Sequence, residues 1–260
     1  MIKKSTPEKI FISKKNELEM DASRDLGLFE EKSNYLILSS PRSGSTLLSR
    51  MLYETKMAGD PLEYFNPPIW KIGCRRFNNP HMPMLDFLAA IKRYRTSSNG
   101  VFGMKLHFLQ FLQAFQSTQI NQDMINFLQN ANQLIWIKRK NKIYQAISQA
   151  IAIQSNVWSS EDPQFEKSKA VSVNNQLITN CLMSITFDEL GWQKTLDSLK
   201  LNYLEVWYED LAENYTAESQ RVLNYLNISP ANIPNEPIQK QGDKLNETLY
   251  TQYTNYIAKI

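Results

Sequence analysis

An apolar run leads through a small polar turn into a helix-like pattern at Tyr35-Leu36-Ile37-Leu38-Ser39-Ser40-Pro41-Arg42-Ser43-Gly44-Ser45-Thr46-Leu47-Leu48. The run over 35–39 predicts a buried β-strand, because it is short, apolar and followed by turn residues. After the turn, Ser45 can cap a helix. The apolar side chains of that helix recur at helical spacing, at Leu47, Leu48, Met51 and Leu52. A strand, a tight turn and a helix are therefore expected in direct succession.

The turn itself has the properties of an anion-binding site. Backbone N–H groups are free at a helix start, the helix dipole is positive there, and Arg42 adds a full charge. A phosphorylated or sulfated ligand is expected at this point. On the turn alone, an ordinary strand-to-helix connection of an α/β domain is the alternative.

The turn differs from the P-loop of nucleotide-hydrolysing proteins, G-x-x-x-x-G-K-[ST]. Ser39 and Ser40 replace the first glycine, and Ser45 stands where the lysine belongs. The cation, Arg42, precedes Gly44 instead of following it. These differences argue against a conventional NTPase.

Composition indicates one large α/β domain. The chain has 260 residues, of which 42% are hydrophobic and 11% aromatic, enough for a sizeable core. Residues 1–33 are polar and mixed in charge and predict a loosely packed N-terminal extension, followed by a single domain over 34–260. A net charge of +3 is too small to indicate nucleic acid binding and suits a small anionic ligand.

Cysteine and histidine are scarce. The two cysteines and two histidines indicate neither a disulfide framework nor a metal site. No apolar segment follows the first lysines, and no run approaches the length of a membrane span. We therefore expect a soluble, cytoplasmic protein without a secretory signal or transmembrane segment.

Strand and helix patterns alternate along the chain, which predicts a mainly parallel sheet covered on both faces. Candidate strands are 35–39, 101–107, 133–138 and 202–207. Candidate helices are 45–56, 84–95, 108–130, 141–154 and 243–257, with one or two more over 168–199 that suggest a lid or an oligomer contact. The proline-marked segment 61–83 is expected to be a loop, and long loops of compact domains are often functional.

The strand over 101–107 carries charges where a central parallel strand is normally apolar. Alternation places Lys105 and His107 on one face, late in the strand. Ligands of open parallel sheets lie outside the carboxyl ends of the strands, so both should face the same crevice as Arg42. The alternative is an edge strand with a solvated lysine and a hydrogen-bonded histidine.

A basic cluster ends the candidate strand over 133–138. Arg139 lies at this strand end, and Ser148 follows on the next helix, so both could reach a further anion. A solvated basic surface is the alternative.

Together these segments resemble the bacterial trehalose 2-sulfotransferase family, whose members use 3′-phosphoadenosine 5′-phosphosulfate. Residues 42–48 resemble its 5′-phosphosulfate loop, and Ala58-Gly59-Asp60-Pro61-Leu62-Glu63-Tyr64-Phe65 resembles its Gly-Glu-Pro-x-Glu-Phe-Phe segment. The other matching segments are 103–106 (central strand), 139–158 (3′-phosphate segment) and 208–211 (a tyrosine-acidic-leucine element). Lys240-Gln241-Gly242-Asp243 is a further, degenerate candidate for a nucleotide contact.

The resemblance implies a P-loop nucleotide-kinase-like, three-layer α/β fold and transfer of a sulfuryl group to a hydroxyl. The 5′-phosphate would be held by the backbone amides of Ser43, Gly44, Ser45 and Thr46. Arg42 and Lys105 would neutralise charge developing on the bridging oxygen. Arg139 and Ser148 would bind the 3′-phosphate and select this donor over ATP. The resemblance further implies no metal, a sugar or glycolipid acceptor and a homodimer.

The general base is left open between two residues. Glu63 corresponds to the proposed base of the trehalose family, and His107 to the base of cytosolic animal and plant sulfotransferases. Between cations a carboxylate stays ionised and an imidazole stays neutral, so either could accept a hydroxyl proton. We favour Glu63, because its segment matches the closer family. Asp60 is expected to be structural, binding the amides of its turn.

Two other functions compete with sulfuryl transfer. A nucleotide kinase or NTPase is disfavoured by the missing Gly-Lys-Ser/Thr. A non-catalytic nucleotide-binding member is disfavoured because Arg42, Lys105 and a candidate base are all present. Aromatic residues Tyr64, Phe65, Trp70 and Trp158 could form a wall for a sugar face.

Overall fold

Within the residues that the computed structural model describes (11–159, 162, 164–237 and 244–259), four parallel strands form one central sheet. The strands are β1 (Ser33–Ser39), β2 (Val101–His107), β3 (Gln133–Lys138) and β4 (Leu204–Trp207). Their order across the sheet is β2-β1-β3-β4, and each neighbouring pair is parallel. The predicted α/β fold with a parallel central sheet is confirmed. The fourth strand begins at Leu204 instead of at residue 202.

Helices connect the strands and cover the sheet. Before β2 they are α1 (Lys14–Glu19), α2 (Ser45–Glu54), α3 (Pro67–Arg76) and α4 (Met84–Arg95). Between β2 and β4 they are α5 (Phe108–Ala114), α6 (Gln122–Gln129), α7 (Lys142–Ser155), α8 (Phe165–Ser168) and α9 (Asn175–Leu199). After β4 come α10 (Tyr208–Glu213), α11 (Tyr215–Tyr225) and α12 (Lys244–Ile257). In the described part of the chain, no helix combines the length and apolar character that a membrane crossing requires.

Alternating strand side chains divide the core into two layers. The layer that packs against α4, α5, α6 and α9 contains Leu36, Leu38, Met104, Leu106 and Trp136. The layer that packs against α2 and α11 contains Tyr35, Ile37, Ile135, Ile137 and Val206. Because the strands are buried on both faces, they are apolar over most of their length. The sheet with a helical layer on each face gives the three-layer arrangement that was predicted.

Two helical regions differ from the sequence prediction. The predicted helix over 108–130 is divided into α5 and α6, because Gln116 adopts a positive φ of 51° and Asn121 caps a new helix start. Residues 67–76, predicted to be loop, form helix α3. Pro67 and Pro68 lie in its first turn, where the missing N–H costs nothing because that group has no partner within the helix.

The described part of the N-terminal segment, residues 11–33, is anchored to the domain at Met20 and Arg24, and the prediction of loose packing does not hold at these anchors, although Phe11 and Leu28 are exposed. Met20 is 3% exposed and belongs to the core layer that contains Leu36. Arg24 donates two hydrogen bonds to Asp60, at 3.0 and 2.5 Å. The polar residues that suggested loose packing instead form ion pairs with the domain, as Arg24 does with Asp60. The division into 1–33 and 34–260 stays a prediction, and the candidate contact at 240–243 lies outside the described residues.

Candidate active site

The turn between β1 and α2 leaves the start of α2 open to a ligand. Gly44 precedes the helix with φ 90° and offers no side-chain cap. The prediction that Ser45 caps the helix is therefore wrong, since Ser45 is its first helical residue. The N–H groups of the first turn have no partner within the helix, and the positive end of the helix dipole lies beside them. This arrangement suits an anion.

Glycine at position 44 is required both by conformation and by space. A Cβ there would lie 2.4 Å from Cδ2 of Tyr208, the first residue of α10. Ser43 lies behind the turn, fully buried, and its N–H donates to the carbonyl of Ser40 at 3.3 Å. The structure therefore brings Gly44, Ser45 and Thr46 to the cavity but leaves Ser43 outside its lining.

Lys105 and Glu63 meet because the segment before Glu63 runs beside β2. Leu62 forms an isolated parallel bridge with Met104, and the N–H of Lys105 donates to the carbonyl of Leu62 at 2.9 Å. The Nζ of Lys105 lies 2.9 Å from Oε1 of Glu63. It also donates to Oγ1 of Thr46 at 3.4 Å. A cation from β2 thus lies next to the first turn of α2.

The carboxylate of Glu63 is held in its ionised form. Its Oε2 accepts hydrogen bonds from Asn66 at 3.0 Å and from Gln110 at 2.9 Å. Burial raises the pKa of Glu63, but this effect is outweighed by the positive charge of Lys105 and by smaller contributions that include the Gln110 bond. The pKa of Glu63 therefore lies well below its ordinary value.

His107 lies beside the same carboxylate, with its Nε2 3.7 Å from Oε1 of Glu63. That nitrogen is buried and has no hydrogen-bond partner among the described residues. Burial lowers the pKa of His107, Glu63 opposes the shift, and Lys105 adds to it. The pKa stays below its ordinary value, so the imidazole is neutral at neutral pH.

Arg42 is directed toward α7 and the segment that follows it. Its Nε donates to Oγ of Ser148 at 2.9 Å, and its Nη1 donates to the carbonyl of Trp158 at 2.6 Å. Burial and the nearby charge of Arg139 lower the pKa of Arg42 to about 10, which keeps the guanidinium protonated at neutral pH. The backbone around Arg42 has a positive φ of 62°.

Arg139 is positioned by the segment that begins α10. Its guanidinium lies 4.8 Å from the ring centroid of Tyr208, and its Nε lies 3.9 Å from Oε1 of Glu209. Glu209 also accepts the backbone N–H groups of Lys140 and Asn141, at 2.8 and 3.2 Å. These contacts give the tyrosine-acidic element at 208–209 a physical role, because it orders the strand end that carries Arg139.

These groups line one cavity, which has a volume of about 1390 Å³. The predicted site residues in its lining are Arg42, Gly44, Ser45, Thr46, Glu63, Lys105, His107, Arg139 and Ser148. The volume exceeds the roughly 300–1,000 Å³ of a typical small-ligand pocket, so the cavity has room for more than one small ligand. The cations of three separate segments therefore face the same space.

The predicted aromatic wall is largely wrong. Tyr64 and Phe65 are fully buried in the core, and Trp70 packs against that core and donates its Nε1–H to the carbonyl of Met82. Only Trp158 of the four contributes to the cavity lining. Asp60 is structural as expected, but its carboxylate binds Arg24 and Arg95 instead of turn amides.

Sequence reasoning missed several residues of the cavity. Asn66 and Gln110 hold Glu63, and the first turns of the N-terminal segment contribute Ser13, Lys15, Asn16 and Glu19. The nearness of Asn66 to Glu63 in sequence was the one available signal for that residue. Within the described ranges, no cluster of histidine, cysteine and acidic side chains could hold a metal; the metal-free mechanism stays a prediction.

Comparisons with known proteins identify the family to which the chain is similar. The sequence model of the family described as Stf0 sulphotransferase matches residues 34–255. A trehalose 2-sulfotransferase of Mycobacterium tuberculosis (strain ATCC 35801 / TMC 107 / Erdman) is 26% identical over 252 residues, covering 84% of this chain and 93% of the relative. A trehalose 2-sulfotransferase of Mycolicibacterium smegmatis (strain ATCC 700084 / mc(2)155) is 25% identical over 250 residues, with coverage of 84% and 93%.

A solved structure is also similar. The crystal structure of a sulfotransferase from Alicyclobacillus acidocaldarius matches with a TM-score of 0.48 at 12% identity, over 87% of this chain and 93% of that chain. The family match contains every predicted site residue, from Arg42 to Ser148, and leaves α1 outside it.

Proposed function

The chain belongs to the Stf0 sulphotransferase family, and from that membership we propose that it transfers the sulfuryl group of 3′-phosphoadenosine 5′-phosphosulfate to a carbohydrate hydroxyl. The observation that carries this proposal is the convergence of Arg42, Lys105 and Arg139 on one cavity. A donor with anionic groups on both its 3′ and 5′ carbons needs positive charge at more than one point. These cations come from separate segments and supply it.

The donor's phosphates have separate candidate partners. The N–H groups at the start of α2, with the helix dipole, bind the 5′-phosphate. Arg139 and Ser148 bind the 3′-phosphate, a group that ATP lacks. Tyr208 supports both regions, because its ring contacts the guanidinium of Arg139 and lies against Gly44.

In the reaction, the acceptor oxygen forms a bond to sulfur while the bond from sulfur to the bridging oxygen breaks. The electron pair of the broken bond stays on the 5′-phosphate of the nucleotide product, and the hydroxyl proton moves to a base. Arg42 and Lys105 stabilise the charge that develops on the leaving oxygen. Lys105 is suited to this role, since it lies between the start of α2 and Glu63.

We assign the base to Glu63, with His107 as the second candidate. Glu63 is ionised and faces the cavity, and three side chains fix its position. His107 is neutral and lines the same cavity, so its imidazole could accept the proton too. A positioned base typically contributes about 10²–10⁴-fold to the rate.

A carbohydrate acceptor is supported by the relatives, whose names specify trehalose as their substrate. The cavity lining near Glu63 includes the amides Asn66 and Gln110, which suit a hydroxyl-rich ligand. A sugar, free or as part of a glycolipid, is therefore the proposed acceptor class.

The test is transfer of radiolabelled sulfate from the donor to a neutral disaccharide panel (trehalose, maltose and sucrose), a glycolipid and a phenol. We expect sugar-dependent transfer by the wild type, a loss of at least about 100-fold in Glu63→Gln, and retained binding of adenosine 3′,5′-bisphosphate by that variant. Tighter binding of ATP with Mg²⁺ than of the bisphosphate would instead identify a kinase or NTPase. Tight bisphosphate binding without transfer to any acceptor would identify a non-catalytic nucleotide-binding protein.

A further inference from the structure

The N-terminal segment forms one wall of the cavity. Phe11, Ser13, Lys15, Asn16 and Glu19 all belong to its lining. The family model matches residues 34–255, so this wall lies outside the matched part of the chain. We propose that residues 11–20 determine acceptor specificity, with Lys15 and Glu19 contacting the acceptor. This inference rests on the proposed function, because it concerns the acceptor of that same site.

The wall is built as a fixed element. Helix α1 has six residues, and a helix of that length is unstable by itself in water. A reciprocal cap stabilises its start: the N–H of Asn16 donates to Oγ of Ser13 at 3.2 Å, and the N–H of Ser13 donates to Oδ1 of Asn16 at 3.1 Å. At its end, Met20 is buried in the core. The helix is therefore stabilised by its own cap at its start and anchored in the core of the domain at its end.

The segment is also tied to the candidate base. Arg24 binds Asp60, which lies on the same loop as Glu63. The turn that follows α1 is thus joined to the loop of Glu63 by an ion pair, so the wall has a defined position relative to the reacting groups.

Lys15 and Glu19 form an ion pair that faces the cavity. Their charged atoms are 3.3 Å apart, and their side chains are only 14% and 10% exposed. The neighbouring pair Lys14–Glu17 points to solvent, with side chains 64% and 50% exposed. Removing two charges from water is costly, so the mutual attraction of the pair holds it in place, and both charges are presented at the cavity wall.

The charges around the acceptor region balance one another. Lys15 and Lys105 are positive, and Glu19 and Glu63 are negative. A neutral, hydroxyl-rich acceptor fits this balance, because each hydroxyl can donate to a carboxylate and accept from an ammonium. Because the charges of these four groups sum to zero, they give no net attraction for an anionic acceptor.

Gln110 offers a buried hydrogen-bond acceptor at the same site. Its Nε2 donates to Glu63, whereas its Oε1 is buried and has no hydrogen-bond partner in the described part of the chain. A buried amide oxygen is normally paired, and an acceptor hydroxyl would supply the partner. Lys15 is near enough that its charge lowers the pKa of Glu63 and of His107, which puts α1 within electrostatic reach of the candidate bases.

The test compares Lys15→Met and Glu19→Gln with the matched control Lys14→Met, whose lysine is solvent-exposed. Binding of the neutral disaccharide panel and of glucose 6-phosphate is measured by ligand-observed NMR on the full chain with adenosine 3′,5′-bisphosphate present. We expect Lys15→Met and Glu19→Gln to weaken disaccharide binding by about tenfold or more, the effect of one charge-assisted hydrogen bond. Lys14→Met should bind like the wild type, and the bisphosphate affinity should be the same in all four proteins.

Equal disaccharide binding by all four proteins would overturn the inference. So would a wild type that binds glucose 6-phosphate but no disaccharide, or one that binds none of the probes. A parallel loss of bisphosphate affinity would also overturn it, because the pair would then be a general structural support. Disaccharide binding that depends on Lys15, without sulfuryl transfer by the wild type, would overturn the proposed function and leave the acceptor role of α1 supported.

Discussion

The Nε of Arg42 donates a hydrogen bond to Oγ of Ser148 at 2.9 Å, across 106 residues of sequence. The bond joins the turn after β1 to the middle of α7. Gln145, one turn earlier on α7, donates to Oγ of Ser40 and to the carbonyl of Pro41, so the helix holds both sides of the turn. Arg42 and Ser148 are proposed to bind different anionic groups of the donor. Their contact connects those two binding regions.

Ser148→Ala is expected to weaken binding of adenosine 3′,5′-bisphosphate by about tenfold, because it removes a ligand contact and the anchor of Arg42. Arg42→Lys should also weaken binding. The double variant should lose less binding free energy than the two single variants lose in sum. Isothermal titration calorimetry measures each affinity. Thr186→Ala, which removes an exposed hydroxyl on α9, is the control. Additive losses would show that the Arg42–Ser148 contact does not couple the two regions.

The acid limb of the pH–rate profile distinguishes the candidate bases. A base must be deprotonated to act, and the pKa of Glu63 lies well below 4.5. If Glu63 is the base, kcat/KM stays level as the pH falls from neutral to about 5. The pKa of His107 lies below 6.5, so an acid limb below neutral pH that disappears in His107→Asn would identify His107 instead.

The sequence was informative where a local pattern determines position. Lys105 and His107 could be placed in the site from the sequence, because strand alternation and the position of ligands at the carboxyl ends of parallel strands depend on a few neighbouring residues. Helix α1 could not be predicted, since six residues carry too little periodicity and its anchor, Arg24 to Asp60, spans 36 positions. The role of Tyr64 was mistaken for the same reason, because its burial depends on contacts with Phe87 and Phe102 from distant segments.

Arg139→Ala is expected to reduce selectivity for the 3′-phosphate. The ratio of affinities for adenosine 3′,5′-bisphosphate and adenosine 5′-monophosphate should fall by about 10- to 100-fold, the value of a charged hydrogen bond. Lys140→Ala is the matched control, because Lys140 is half exposed, pairs with Asp210 and does not line the cavity. Calorimetry with both nucleotides measures the ratio. A fall in both affinities by the same factor would place Arg139 away from the 3′-phosphate.

Asp60→Asn is expected to destabilise the fold strongly. The carboxylate of Asp60 is 1% exposed and pairs with Arg24 and with Arg95, whose side chain is fully buried. Its loss leaves a buried guanidinium without full compensation, which typically costs about 3–5 kcal/mol. Urea denaturation measures the free energy of unfolding, with the exposed Asp123→Asn as control. A loss as small as that of the control would mean that Asp25, which also contacts Arg95, is a sufficient partner.

Asp188→Asn is expected to stabilise the protein at neutral and alkaline pH but not at acidic pH. Asp188 is 2% exposed on α9, and its Oδ1 accepts the N–H of Leu109 at 2.9 Å, a bond that an amide oxygen can keep. Burial raises the pKa of Asp188 from 3.8 to about 7, with the Leu109 bond opposing and Glu189 and Glu63 contributing. The folded state therefore favours the protonated carboxyl, and the free energy of unfolding falls as the pH rises from 3.8 to about 7.

The substitution removes this pH-dependent loss of stability, because an amide does not titrate. Asp188→Asn should raise the free energy of unfolding by roughly 1–3 kcal/mol at a pH above 7 and should have little effect near pH 4. Urea denaturation at both pH values measures the difference, and Asp197→Asn, at an exposed position of the same helix, should show none. A stabilisation that is equal at both pH values would attribute the effect to packing and would exclude a titration of Asp188 in this range.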